Sequence, residues 1–337
     1  MKLLQNSQVD VSKWNKLIIS SQFPSPFQTT EFYNFYNSIE KYNADVFAVD
    51  EDGLLTSLVV VTIQKEKGIK GYFSIRGIVY GGILLSENNE ASLSFLLKYL
   101  NNYYKNKLIY IEIRNNFDFS KFNAVFQFNN FIYQSHLNVQ LNTFNYSIET
   151  ILSNMKYNRR REINISYKEG AVVDEAKNEN EVVALFDILK NLYTNRVKLP
   201  LPNLNYFIGL YRSKIGKVFI VKHHNKVIGG SFCIFHQGMS INTIYYAGIR
   251  NYHKKIFPTH LAIMGVTEFA IKNNLKMVDF MGAGKPGKEY GVRDYKLEFG
   301  GELVEHGRYL NILNPLLYKI GILGLSVLSK LKNENIN

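Results

Sequence analysis

A chain of 337 residues corresponds to about two domains, and its 46% apolar content supplies real cores, which excludes a disordered polymer. Forty Lys and Arg against 28 Asp and Glu leave a formal charge of +12, so the surface attracts anions such as phosphates, nucleic acid or acidic lipid headgroups. One cysteine, Cys233, excludes an internal disulfide and a cysteine-based metal cluster, and a reducing compartment fits it best.

Polar residues interrupt the N-terminus from Gln5 onward, so no secretory signal is expected and the chain is expected in the cytoplasm. Two strands are predicted, Ala44–Val49 and Leu54–Ile63, joined through Asp52-Gly53, which is hairpin chemistry. A glycine-punctuated stretch, 71–83, precedes a helical pattern over Glu90–Tyr104 and a buried strand over Leu108–Ile113. Ile148–Gly170 reads as one helix with a basic middle, closed by Gly170 as a C-terminal cap. Its cations Lys156, Arg159, Arg160, Arg161 and Lys168 cannot share one face at about 3.6 residues per turn. Solvated surface and phosphate binding are the two uses open to them.

The second half repeats the order of the first. Strands are predicted over Lys217–Lys222, Val227–Phe235 and Ile241–Tyr246, then a helix over Pro258–Asn273 and a buried strand over Met277–Met281. This repetition predicts an α/β class with mixed sheets in duplicated domains, 1–145 and 146–308, although no residue-level repeat accompanies it. The tail, 309–337, is too interrupted by Asn314, Pro315 and Lys319 for a membrane span. Leu313, Leu316, Leu317, Ile320, Leu323, Val327 and Leu331 fall near one helical face, which suits either packing on the protein or lying flat in a lipid interface.

The chemistry concentrates between Val278 and Gly301. A buried strand ends at Asp279, a loop with Gly282, Gly284, Gly287 and Gly291 follows, and a second strand-like segment is predicted over Tyr295–Phe299. Ligands of α/β sheets bind where loops leave strand ends, and Lys285, Lys288, Arg293 and Lys296 bring positive charge there. The loop is neither a P-loop nor a Gly-x-Gly-x-x-Gly dinucleotide site. Asp279 is read as a proton acceptor, an orienting group or a turn cap. His223 and His224 have no third ligand at metal spacing, so no metal is expected.

The order Asp279-Phe280-x-Gly282, Gly291-Val292, Tyr295-Lys296-x-x-Phe299-Gly300-Gly301 resembles the second domain of the FemAB family, peptidoglycan interpeptide-bridge aminoacyltransferases related to GNAT acyltransferases. Ser25-Pro-Phe-Gln-Thr-Thr-Glu-Phe32, Tyr80-Gly-Gly82, Tyr157-Asn-Arg-Arg160 with Gly170, and Tyr193-Thr-Asn-Arg196 through Asn205-Tyr-Phe207 extend the resemblance over most of residues 23–308. It implies tandem GNAT-like domains that move an aminoacyl group from aminoacyl-tRNA to an amine of a lipid-linked peptidoglycan precursor, with no cofactor beyond that co-substrate. An aminoacyl ester is already activated, so the enzyme has to position the amine and stabilise the developing oxyanion.

By the same resemblance Lys296 matches the family lysine suited to that oxyanion, with Asp279 as its catalytic companion. Arg196 and Tyr206 fall on the precursor side, Arg293, Tyr295 and Gly284 join the substrate site, and Lys156, Arg159 and Arg160 form the nucleic-acid contacts. The chain lacks the coiled-coil arm of staphylococcal-type members. Its long apolar tail suits a lipid-linked acceptor and peripheral contact, through 309–332, with the inner face of the cell membrane. Gly248–Lys255 lacks the glycine pattern that cradles acyl-CoA pyrophosphate. Two other readings stay open: an acyl-CoA-dependent N-acyltransferase of an amino sugar or polysaccharide precursor, and a non-enzymatic nucleic-acid binder.

Overall fold

The computed structural model describes residues 1–66, 68–87 and 89–334. In chain order these residues form β1 (Lys2–Gln5), α1 (Val11–Ser20), α2 (Thr30–Ser38), β2 (Asn43–Glu51), β3 (Leu54–Gln64), β4 (Arg76–Gly81), β5 (Leu84–Leu85), α3 (Glu90–Tyr104), β6 (Tyr110–Asn115), α4 (Asn123–Phe128) and β7 (Ile132–Gln134). Then come β8 (Asn138–Asn142), α5 (Ile148–Asn154), α6 (Tyr157–Lys168), β9 (Val172–Glu175), α7 (Glu179–Leu192), α8 (Leu204–Arg212), β10 (Gly216–His223), β11 (Lys226–Phe235), β12 (Ser240–Gly248), α9 (Pro258–Lys272), β13 (Met277–Gly282), α10 (Gly291–Leu297) and β14 (Glu302–Val304). The chain closes with β15 (Arg308–Ile312) and α11 (Pro315–Glu334). Two compact units result: Met1–Ser135 with the segment from His306, and His136–Glu305.

The first unit carries a sheet in the order β1-β2-β3-β4-β6-β15-β7, with β5 beside β3. The β2–β3 hairpin turns through Asp52 and Gly53, at φ +52° and +85°, the left-handed pair that such a two-residue turn requires. Along β6, Ile111 and Ile113 enter the core under Leu93, Leu96, Leu97 and Leu100 of α3, while Glu112 and Arg114 face the other way.

The second unit has the order β14-β8-β13-β12-β11-β10-β9. Its helix α9 is buried nearly all round, and a Cβ on Gly265 would stand 2.4 Å from Val173 Cγ1, so glycine is what lets α9 approach β9. Strands β12 and β13 run parallel and pair only from Ser240↔Met277 to Asn242↔Asp279. Past that point β12 continues beside β11 and β13 beside β8, which opens the sheet between them.

Four features differ from the sequence reading. The division between units falls at Ser135 and His306 instead of at 145 and 308. Strand β8 buries Val139 and Leu141 on the edge of β13, and β15 threads between β6 and β7 with Tyr309 stacked on Phe126 at 3.7 Å. The single helix over 148–170 is two, because Met155 is extended and the Lys156 amide bonds to the Glu298 carbonyl at 3.1 Å. Gly170 does cap α6: it is left-handed at φ +88°, its N–H bonds to Tyr167 O and that of Ala171 to Ser166 O. Finally, 295–299 is no strand. Tyr295 lies in α10 and Phe299 one helical turn further on, an i, i+4 pair with ring centroids 5.3 Å apart.

The tail forms helix α11, in which Leu316, Ile320 and Leu323 are exposed while Leu317 and Tyr318 are half-buried. The side chains of Val327 and Leu331 lie outside the described part. Among the described residues no helix is long and apolar enough to cross a membrane.

Candidate active site

The end of β13 builds the site. Asp279 is fully buried; one carboxylate oxygen accepts from the Met281 amide at 2.6 Å and the other from Gln140 Nε2, on β8, at 3.0 Å. Burial raises its pKa, and those two bonds together with the nearby Lys296 charge pull it back. The amide bond holds Met281 at φ +61°, a conformation unusual for any residue but glycine, and turns the chain into the loop.

Helix α10 returns over that loop and presents Lys296, only 5% exposed. Its Nζ donates to Gly282 O at 2.8 Å and to Met281 O at 3.3 Å. An ammonium has three N–H bonds, and the third has no partner among the described residues. Desolvation lowers the Lys296 pKa to about 8, with Asp279 opposing the shift. The arrangement is a fixed, proton-bearing cation just past the point where β13 parts from β12.

A buried polar cluster holds α10 in place. Tyr295 Oη accepts from His260 Nδ1 at 3.0 Å, and His260 Nε2 faces the Arg159 guanidinium. Burial and the adjacent Arg159 charge hold His260 down to about 3, so the ring is neutral; the guanidinium bond assigns its proton to Nδ1. Glu162 is 3.1 Å from the same Nε2, yet with the ring neutral this is no ion pair. Arg159 itself pairs with Glu162 at 3.1 Å and with Glu298, and it lies over the rings of Tyr295 at 4.8 Å and Phe299 at 5.2 Å.

Arg159, expected among the nucleic-acid contacts, is therefore an internal clamp, because its helix position points it at α9 and α10. Lys156 is exposed and reaches Glu298 at 3.7 Å, and Arg160 donates to Leu152 O at 3.3 Å while half-buried. Arg293, expected at a substrate phosphate, donates to Lys285 O at 3.2 Å and Lys288 O at 2.5 Å, stapling its own loop. Gly284 sits at φ +81° against the Tyr290 ring, and its carbonyl accepts from the Leu137 amide at 2.8 Å. Tyr206, expected to line the cleft, is buried with its ring edge-on to Phe207 at 5.3 Å.

Arg196 stands exposed on the turn 193–197. Burial raises the pKa of the Tyr193 phenol, with a further push from Tyr290, and the Tyr193 ring meets that of Tyr245 edge-on at 5.9 Å. His260, Gln140 and Tyr246, which stacks on Tyr295 at 6.2 Å, carried no signal in the sequence, since each gains its meaning only from a partner far along the chain. At the start of α9, Pro258 has no N–H, the His260 amide bonds to Phe257 O, and a Cβ on Gly248 would lie 2.6 Å from the Thr259 amide nitrogen. Proline at the first position and the bonded His260 amide take two donors from the row that a pyrophosphate would use. Among the described residues no group of three or more His, Cys, Asp or Glu is placed to hold a metal ion.

No family model and no curated protein matches the chain. Solved structures do. The crystal structure of FemX is similar with a TM-score of 0.74 at 13% identity, covering 95% of this chain and 99% of that one. The C-terminal domain of a putative lysylphosphatidylglycerol synthetase from Agrobacterium fabrum matches with a TM-score of 0.59 at 8% identity, over 94% and 95% of the two chains. A tandem GNAT protein from the clavulanic acid biosynthesis pathway gives 0.54 at 8% identity, over 93% and 99%. At such identities the likeness is one of fold: the chain has the fold of these proteins, a tandem GNAT protein among them.

Proposed function

We propose that the chain is an acyltransferase of the FemAB type, moving an aminoacyl group from aminoacyl-tRNA to an amine of a lipid-linked peptidoglycan precursor at the cytoplasmic face of the membrane. The observation that carries this reading is Lys296, buried at the end of β13 with one N–H lacking a partner among the described residues. Attack by the amine on the ester carbonyl places negative charge on one oxygen, and a desolvated ammonium N–H is suited to receive it. Asp279 is fully buried and enclosed by its hydrogen bonds, so it acts on Lys296, favouring the charged form, and not on the acceptor amine.

The fold shared with FemX, and with a protein whose name couples an amino acid to a lipid, supports the choice of chemistry. Pro258, which gives the first turn of α9 no N–H, and the missing glycine pattern over 248–255 favour a tRNA ester over acyl-CoA as donor. Lys156 and Arg160 remain the basic residues offered to the tRNA backbone, and Arg196 the one offered to an anionic group of the precursor.

The test supplies charged tRNA or acetyl-CoA together with amine acceptors and follows ester loss and thiol release side by side. Consumption of charged tRNA that depends on the acceptor is expected; thiol release with charged tRNA untouched overturns the reading.

A further inference from the structure

We propose that α11 is a docking helix that lies flat in the headgroup region of an anionic lipid bilayer. One side of this 20-residue helix turns to the protein: Tyr318 meets Tyr110 edge-on at 5.5 Å, and a Cβ on Gly321 would lie 3.2 Å from the Phe73 carbonyl oxygen. On the other side Leu316, Ile320 and Leu323, spaced i, i+4, i+7, make an uncovered stripe, with Leu316 69% and Leu323 64% exposed. Beside the helix, the turn Gly68–Phe73 adds Tyr72, 77% exposed, and Phe73. Exposed apolar side chains scattered singly are ordinary, but this many on one helix and its neighbouring turn mark an interaction surface.

Charge identifies the occupant. From Tyr309 to Glu334, the end of α11, the chain carries three cations, Lys319, Lys330 and Lys332, against one acid, Glu334. Lys319 is exposed next to the apolar stripe. An apolar face with an exposed lysine beside it, on a helix with three lysines against one glutamate, complements phosphate headgroups over acyl chains. A second copy of the chain fits less well, because a two-fold pairing brings together two faces of the same positive sign. The inference rests on the exposed face alone and stands apart from the acyl-transfer reading.

The test sediments the full chain with phosphatidylcholine vesicles, with and without phosphatidylglycerol, at low and high salt. Association with the anionic vesicles, weakened by salt, is expected. The double variant Leu316→Ser/Leu323→Ser is expected to lower partitioning by about tenfold or more, and Lys319→Glu by about fivefold. All three positions are exposed, so unchanged thermal unfolding checks that the variants fold. No association with anionic vesicles, or equal association of the double variant, overturns the proposal. A dimer in light scattering that the double variant dissolves also overturns it and assigns the face to a second copy. Aminoacyl transfer to a water-soluble acceptor, measured without vesicles, reads the active site separately, so the two proposals fail independently.

Discussion

Lys296 and Asp279 oppose each other's titration: burial pushes both toward their neutral forms, and the charge of each holds the other ionised. With Lys296 brought down to about 8, its ammonium is present below that pH and fades above it. If the cation receives the oxyanion, turnover carries a descending limb near pH 8. Lys296→Met is expected to lose about a hundredfold or more in kcat and to lose that limb with it. A pH–kcat profile of the variant that keeps the limb assigns it to another group.

Asp279→Asn removes the charge that supports the ammonium. The Lys296 pKa then falls further, so the descending limb moves below pH 8 while substrate KM changes little. Equal losses in kcat and in precursor affinity would make Asp279 a binding or folding residue instead.

His260 makes stability depend on acid. Its folded pKa, about 3, lies below the ordinary value of 6.5, so in this window the unfolded chain binds the extra proton. Stability from the neutral ring is complete above 6.5 and drains away as the pH falls toward 3. Denaturant titrations across that range are expected to show the loss, and His260→Gln, which keeps a donor and an acceptor, should show a shallower slope. An unchanged slope would refute the assignment.

The basic helix divides by sidedness. Arg159→Ala removes the guanidinium partner of Glu162, leaves Glu298 with the exposed Lys156 at 3.7 Å, and is expected to destabilise the protein by about 3 kcal/mol. Arg161→Ala, on the exposed face, is expected to stay within about 0.5 kcal/mol. Reversing Lys156 and Arg160 to Glu should instead weaken tRNA association and flatten its salt dependence, read by filter binding at several salt concentrations. If the Arg159 variant unfolds like the parent protein, the clamp carries no weight.

Much of the fold was legible because it is written locally. The Glu90–Tyr104 helix, the Asp-Gly hairpin and the α9–β13 succession follow from apolar spacing and turn chemistry within a few residues. Tyr295–Phe299 misleads for the same reason: over five residues, alternation and an i, i+4 pair look alike, and only the packing of Phe299 beneath Arg159 separates them. Strand β8 joins the second unit and β15 the first because a strand chooses its partners by hydrogen bonds that its own residues do not encode.

By itself, then, the amino-acid sequence determined the repeated α/β order, the glycine loop after Asp279 and the lysine, Lys296, that follows it. Tertiary structure alone decided what those charges do. A side chain's titration and reach depend on water withdrawn by elements distant in the chain, which is why Lys296 became a buried cation near its titration point, Arg159 a clamp and Arg293 a staple. Likewise the apolar residues of α11 were readable as a stripe from their spacing, but which of them face the protein and which face outward was settled only by where the helix came to rest.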